Sequence, residues 1–471
     1  MLRFSVARDA LAARMPRPPL ADSATTQKLR PVVVPQAQQE PRPLVWRPVV
    51  VEAFWMWLAS RVAMVAFTFA AVLMLRPNAL AQGWRHVSLR TILYAWKQWD
   101  GYWYTEIAHQ GYWQWQTAAF FPLYPTLIRA ASLVAGTHWL ALAMIIANVA
   151  ALGAFAGIGL LAANEQGSRR ASARVMRVFA AYPLAFFLTA PYTEGMFIAF
   201  AAFTLLFARR GLWRWAALTA LLAGLTRPTS VVLVLPIFWE FGRQHGWWDA
   251  LADVWHGTRK RGASVLAETR STFAARGRGM WDAVRERRWA DVLSWREALS
   301  FVLLMGAVPC AFGLFIAYLW HRFRHPLLFL YVQRYYWHRA NLPLWRTIPL
   351  AIHQFLTLTP LSFYQVRDLV DDVPIVLFAL VTLIVVRRQP FAFTLYMAGL
   401  LYLAVATPVM VSRYPDMFQS AGRFLLAAIP LFLVLGRWTR GRPALDLLLV
   451  GGGFLLQAVL AAFFLTGGWL T

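Results

Sequence analysis

Residues 139–162 read WLALAMIIANVAALGAFAGIGLLA, an unbroken apolar run that contains no charge. As a helix rising 1.5 Å per residue it is about 36 Å long, enough to cross roughly 30 Å of hydrocarbon. The run closes on Asn164-Glu165-Gln166-Gly167. Its Gly153, Gly157 and Gly159 suit close packing of helices rather than a nucleotide loop. Composition extends the reading to the whole chain. Of 471 residues, 59% are hydrophobic and 14% charged, and the mean hydropathy is +0.49. A soluble domain carries about 25% charged residues, so the expected class is an all-α polytopic membrane protein.

The formal charge of +25 fits cytoplasmic loops and anionic lipid, and in so apolar a chain no nucleic-acid partner is expected. The single cysteine, Cys310, excludes an intramolecular disulfide framework and a multi-cysteine metal site; its place in an apolar run points to packing. Residues 1–47 are rich in Pro and Arg, lack an apolar periodicity and read as a disordered cytosolic tail. A cleaved signal peptide needs an apolar core soon after a short basic start; here the first apolar run begins only near Val49, so none is expected.

Outward from 139–162, apolar segments stand at 50–75, 178–190, 195–208, 215–226, 229–241, 298–320, 373–386, 391–409, 423–436 and 445–467. The expectation is about 11 transmembrane helices within residues 48–471. Several are too short to cross unaided and imply broken helices around a cavity. Residues 120–136, interrupted by Pro122 and Pro125, read as an interfacial or re-entrant piece. With the N-terminus inside, the basic loops at 163–177, 209–214, 387–390 and 437–443 fall on the cytoplasmic side. So does the basic, Trp-containing insertion at 242–297, read as an amphipathic hairpin on the membrane surface. The first loop (76–137), Glu194, Arg227, the loop at 321–372 and residues 410–422 then share the outer face.

The first outer loop contains QWDGYWYTEIAHQGYWQWQTAAFFPLYPTLIR, residues 98–129, with only two carboxylates, Asp100 and Glu106. Its aromatics alone would serve as an interfacial anchor. Asp100, between Trp99 and Gly101, is the candidate for chemistry, with Gly101 leaving the backbone free to bend. Glu194 and Arg227 stand at the tips of short apolar hairpins, where ionisable residues are functional or paired with each other. His321 and His325 read HRFRH, without the glutamate of a zinc peptidase, and no metal is expected. Neither a nucleotide-binding loop nor a Ser-His-Asp signature is present. Arg413 reads as a snorkelling side chain at a span end.

In order, the chain carries Trp99-Asp100-Gly-Tyr-Trp-Tyr104, Ile107-Ala108, Gly111-Tyr112 and Ala119-Phe-Phe-Pro122-Leu-Tyr-Pro125. Tyr192-Thr-Glu194, Thr226-Arg227-Pro228, Pro326-Leu-Leu-Phe, Gln333, Trp337-His-Arg339 and Gly422-Arg423-Phe follow. Over roughly residues 50–440 the chain resembles the PIG-V type mannosyltransferases, which add the second mannose in glycosylphosphatidylinositol assembly, and their bacterial relatives. These belong to the GT-C superfamily of polytopic glycosyltransferases. Gln114 departs from the pattern where a glutamate is expected and leaves the acceptor open.

The resemblance implies transfer of a hexose, mannose by analogy, from a polyprenyl-phosphate sugar to a hydroxyl on a lipid-linked glycan or glycolipid. Asp100 would be the base. Trp99, Tyr104, Glu194, Arg227, Gln333, Trp337, Arg339 and Arg423 would bind donor or acceptor. The chemistry is consistent: a carboxylate takes the hydroxyl proton, and arginines meet the leaving phosphate. No cofactor is expected. A transporter or flippase of polyprenyl lipids is the rival reading, since broken helices and outward charges also suit a translocation path.

Overall fold

The structure, a computed structural model, describes residues 46–75, 88–248, 294–410 and 417–468. Nearly all of the expected tail, most of the 242–297 insertion and Arg413 lie outside the described residues. The last two residues assigned to the tail, Trp46 and Arg47, already belong to the first helix.

Helices α1 (Trp46–Leu75), α2 (Leu89–Ala95), α3 (Asp100–Gln110), α4 (Leu123–Ala135), α5 (Trp139–Gln166) and α6 (Arg169–Ala180) come first. They are followed by α7 (Glu194–Arg209), α8 (Trp213–Thr226), α9 (Val234–Gln244), α10 (Trp295–Phe323), α11 (Leu328–Tyr335) and α12 (Leu344–Thr357). The chain then forms α13 (Phe363–Val385), α14 (Phe391–Ala406), α15 (Ala421–Leu425), α16 (Ile429–Trp438) and α17 (Pro443–Leu465). Among the described residues there is no strand, only an isolated bridge between Arg339 and Val409. Among the described residues four helices, α1, α5, α10 and α17, are long and apolar enough to cross a membrane. The chain is thus all-α and compatible with a multi-pass membrane protein.

The centre of the bundle is α5 against α7. A Cβ on Gly157 would come within 2.9 Å of Ala202, and one on Gly195 within 3.0 Å of the Ala151 backbone nitrogen. Small residues therefore set how closely the two helices approach. α5 ends where Gly167 enters the left-handed region at φ 62° and its N–H reaches Ala163 O at 2.9 Å.

Several expectations change. The basic segment 163–177 is helical apart from Gly167-Ser168, since α5 runs on to Gln166 and α6 begins at Arg169. Residues 178–190 are not one apolar helix: α6 ends at Ala180 and a 3-10 turn occupies Ala185–Leu188. The segment 423–436 is split into α15 and α16, with Pro430 in the first turn of α16. The segment 321–372, expected as an outer loop, is largely helical. It holds α11, α12 and the start of α13, whose N-cap Ser362 accepts from Gln365 N at 3.3 Å. Cys310 is exposed on α10 rather than packed inside.

Helix α7 carries a charged group at each end. Glu194 opens it, and Arg209, near its close, donates to Glu165 Oε1 and Oε2 at 2.9 and 3.0 Å and to the buried Glu240 at 3.1 Å. The two groups are about 22 Å apart along the helix. Their separation approaches the thickness of a hydrocarbon core.

Candidate functional site

Asp100 is the first residue of α3, and the helix begins there because Trp99 turns the chain with φ 49° and ψ −113°. The bend expected at Gly101 lies instead at Trp99, a non-glycine residue in the left-handed half of the map and therefore strained. Gly101 serves close approach: a Cβ there would meet Pro191 Cγ at 2.8 Å. Pro191 lies in the turn that leads into Glu194, so this contact seats α3 on the start of α7. The Tyr192 hydroxyl donates to Gln98 O at 3.0 Å and ties the same two segments.

Asp100 Oδ2 accepts from Arg423 Nη1 at 2.9 Å, and Arg423 Nε lies 3.3 Å from Glu194 Oε1. Arg227 Nη1 donates to the same Glu194 oxygen at 2.5 Å and lies 3.4 Å from Thr193 Oγ1. The Tyr104 hydroxyl is 3.2 Å from Thr193 Oγ1. Four charged residues, drawn from α3, α7, the end of α8 and α15, thus form one connected cluster. Glu194 and Arg423 are buried, whereas the Asp100 side chain is 19% exposed and stands at the open edge. The guanidinium of Arg423 lies 5.2 Å from the Phe187 ring and 5.3 Å from Tyr192.

Phe424 gathers two further cations: Arg227 lies 5.2 Å from its ring centroid and Arg339 5.5 Å. Arg339 also donates to Thr407 O at 3.2 Å and Gln419 O at 3.1 Å. It therefore clamps the segments after α14 and before α15. Gln333 belongs to this framework through its backbone, whose oxygen accepts from Arg339 N at 2.9 Å. No hydrogen bond joins its side chain to the charge cluster. Trp337 packs edge-on against Phe120, which packs against Tyr104, so it supports the site from behind an aromatic layer. Trp99 remains 41% exposed beside Asp100. Glu106, the other carboxylate of the loop, pairs with Lys97 at 2.9 Å and stays out of the cluster.

Asp371 belongs to the site and was not singled out by the sequence. Fully buried near the start of α13, it accepts from Ser420 N at 3.1 Å and Gly422 N at 2.6 Å. Ser420 has φ 68°, and Gly422 O accepts from the Tyr182 hydroxyl at 2.8 Å. A Cβ on Gly422 would lie 2.7 Å from Val370 O, so only glycine lets α15 sit this close to α13. These contacts hold the short turn that presents Arg423.

The cluster holds two carboxylates and two guanidinium groups, with a third, Arg339, on the shared Phe424 ring. It can accept a proton at Asp100, orient hydroxyls at Glu194 and meet an anion with arginine. Among the described residues no three His, Cys, Asp or Glu side chains stand together as a metal set. No known family model, curated protein or solved structure matches the chain.

Proposed function

We propose that this protein is a membrane-embedded glycosyltransferase of GT-C type. It moves a hexose, mannose in the first instance, from a polyprenyl-phosphate donor to a hydroxyl of a lipid-linked glycan or glycolipid. The observation that carries the reading is the meeting of Asp100 and Arg423, 323 positions apart in sequence, at 2.9 Å. A base and a phosphate-binding cation are the two groups this reaction needs side by side. The acceptor hydroxyl oxygen attacks the anomeric carbon and gives its proton to Asp100. The bond from that carbon to the donor phosphate breaks, and its electron pair leaves on the phosphate oxygen. Arg423 and Arg227 meet the charge that develops there. With Oδ2 facing Arg423, Asp100 offers Oδ1 to the hydroxyl. Trp99 and Tyr104 flank the base. Glu194 orients hydroxyls, while Arg339, Gln333 and Trp337 shape the wall of the site.

Purified protein in nanodiscs should therefore use polyprenyl-phosphate-mannose and ignore GDP-mannose. Arg227→Ala removes a charge-assisted contact of about 1.5–3 kcal/mol, which is roughly a 10- to 150-fold loss in kcat/KM for the donor. Arg413→Ala should change it far less. Turnover with GDP-mannose would sink the lipid-donor reading. Tight binding of the donor without any transfer would turn the case to a flippase, for which the broken helices also provide.

In this reading about eleven segments cross the membrane, the N-terminus and residues 242–297 are cytoplasmic, and the site is extracytoplasmic. The two charged ends of α7, about 22 Å apart, fit the Glu194 and Arg209 clusters lying towards opposite faces of the membrane. Single cysteines at the exposed Gln110 and Arg170, in a Cys310→Ser background, give the test. In intact cells an impermeant maleimide should label Gln110→Cys and spare Arg170→Cys. The reverse pattern would place the site on the cytoplasmic face.

A further inference from the structure

Arg61 lies near the middle of α1, a helix long and apolar enough to cross the membrane, and Val62 and Val65 beside it are exposed on the outside of the bundle. An ionisable group at such a place is costly and rare unless it has a task. Each of its side-chain nitrogens meets a protein oxygen. Nη1 donates to Asn148 Oδ1 at 3.0 Å and to Thr189 Oγ1 at 2.8 Å, while Nε and Nη2 donate to Ser60 Oγ at 3.3 and 3.2 Å. None of these partners is charged, in contrast to those of Arg209, Arg227 and Arg423. Arg61 therefore acts through what it holds.

What it holds is the buried Thr189. Asn148 Nδ2, on α5, donates to the Thr189 carbonyl at 3.2 Å and to Met144 O at 2.8 Å, so α1 grips the hydroxyl and α5 the backbone of one residue. Thr189 lies in the stretch from Phe187 to Glu194, which leads from the 3-10 turn into the head of α7. That stretch touches every charge of the cluster. The rings of Phe187 and Tyr192 lie 5.2 and 5.3 Å from the Arg423 guanidinium, and Pro191 seats Gly101, next to Asp100. Thr193 Oγ1 lies 3.4 Å from Arg227 Nη1, and Glu194 ends the stretch. The planar guanidinium fork suits this task, since it bonds its own helix and two other segments in one fixed geometry that an ammonium lacks.

We propose that Arg61 is a positioning residue for the transfer reaction, acting through Thr189 to fix the stretch 187–194 and with it the placement of Asp100 against Arg423. This role rests on the transferase reading, and it carries a kinetic signature. Attraction between the arginines and a donor phosphate falls slowly with distance, so a small shift of the stretch leaves donor binding nearly intact. Attack and proton transfer depend on sub-ångström placement, so the same shift lowers turnover.

The experiment uses the full chain in nanodiscs and reads steady-state transfer from polyprenyl-phosphate-mannose, normalised to folded protein, and amide hydrogen exchange without substrate. Arg61→Gln and the isosteric Thr189→Val, which lacks the acceptor oxygen, should each lower kcat by about 10- to 100-fold with little change in the donor KM. Thr189→Ser keeps the hydroxyl and should restore wild-type kcat. The double variant Arg61→Gln with Thr189→Val should be no slower than Arg61→Gln alone, because both changes break the same contact. Residues 98–105 and 186–194 should exchange about tenfold faster in Thr189→Val, with α14 unchanged. Wild-type kcat in Thr189→Val, an effect confined to the donor KM, equal losses in Thr189→Val and Thr189→Ser, or multiplied losses in the double variant would each overturn the proposal. So would unaltered exchange at 98–105. A wild type that transfers no sugar sinks the transferase reading on its own account; the exchange pattern then still decides whether Arg61 and Thr189 hold the cluster in place. If Arg61→Gln fails to fold, the two Thr189 variants decide.

Discussion

Asp100→Asn is expected to lower sugar transfer by about 10²- to 10⁴-fold, the range ascribed to a positioned general base. The substitution keeps the shape of the side chain and removes its ability to take the acceptor proton. It also removes the negative charge facing Arg423 Nη1 at 2.9 Å, so a stability cost of roughly 1–3 kcal/mol accompanies it. That cost stays moderate for two reasons: Asp100 lies at the open edge of the cluster, and Arg423 keeps Glu194 beside it at 3.3 Å. The measurement is single-turnover transfer from polyprenyl-phosphate-mannose, with unfolding temperature recorded on the same preparation. A variant that folds and still transfers within about threefold of wild type would end the assignment of Asp100 as base. A variant with lowered stability and a proportionate loss of active protein would leave Asp100 a purely structural partner of Arg423.

The members of this cluster differ in how far the sequence reveals them. Asp100, Glu194 and Arg227 are legible as charges set among apolar and small residues, where solvation would not hold them, whereas Arg423 stood out only through the family resemblance. Their parity on one face followed from the basic loops, and the four side chains do converge. Their pairing was only partly legible: Glu194 with Arg227 was one of two readings, while Arg423 between two carboxylates depends on how α15 docks on α13. Asp371 could not be found this way. It lies in a polar stretch with Asp368 and Asp372, and its distinction is a pair of backbone N–H groups some fifty residues further on. Arg61 carried a signal that could have been read, a single cation within an apolar run. The broken segments were right in kind and imprecise in extent. Hydropathy marks where a chain is apolar, whereas helix ends follow local turns and caps such as Gly167 and Ser362.

Arg423 is the residue whose loss should cost most, because it stands between two carboxylates inside the bundle. Arg423→Met leaves Asp100 without its partner and Glu194 with Arg227 alone, and it should destabilise the protein by about 3–5 kcal/mol, as breaking a buried ion pair does. Native stabilities are about 5–15 kcal/mol, so the loss would show as poor yield and a clear fall in unfolding temperature. Transfer should fall as well, since the cation that meets the leaving phosphate is gone. Adding Asp100→Asn to Arg423→Met removes the uncompensated charge at the open edge. The double variant should therefore be less destabilised than the sum of the singles, with a coupling of about 0.5–3 kcal/mol. On the proposed mechanism it should remain inactive, because the residues assigned as base and phosphate-binding cation are both missing. Strictly additive stability losses would mean that Asp100 and Arg423 do not pair. Recovery of transfer in the double variant would show that neither residue takes part in the chemistry, and that their contact serves only to hold α3 against α15.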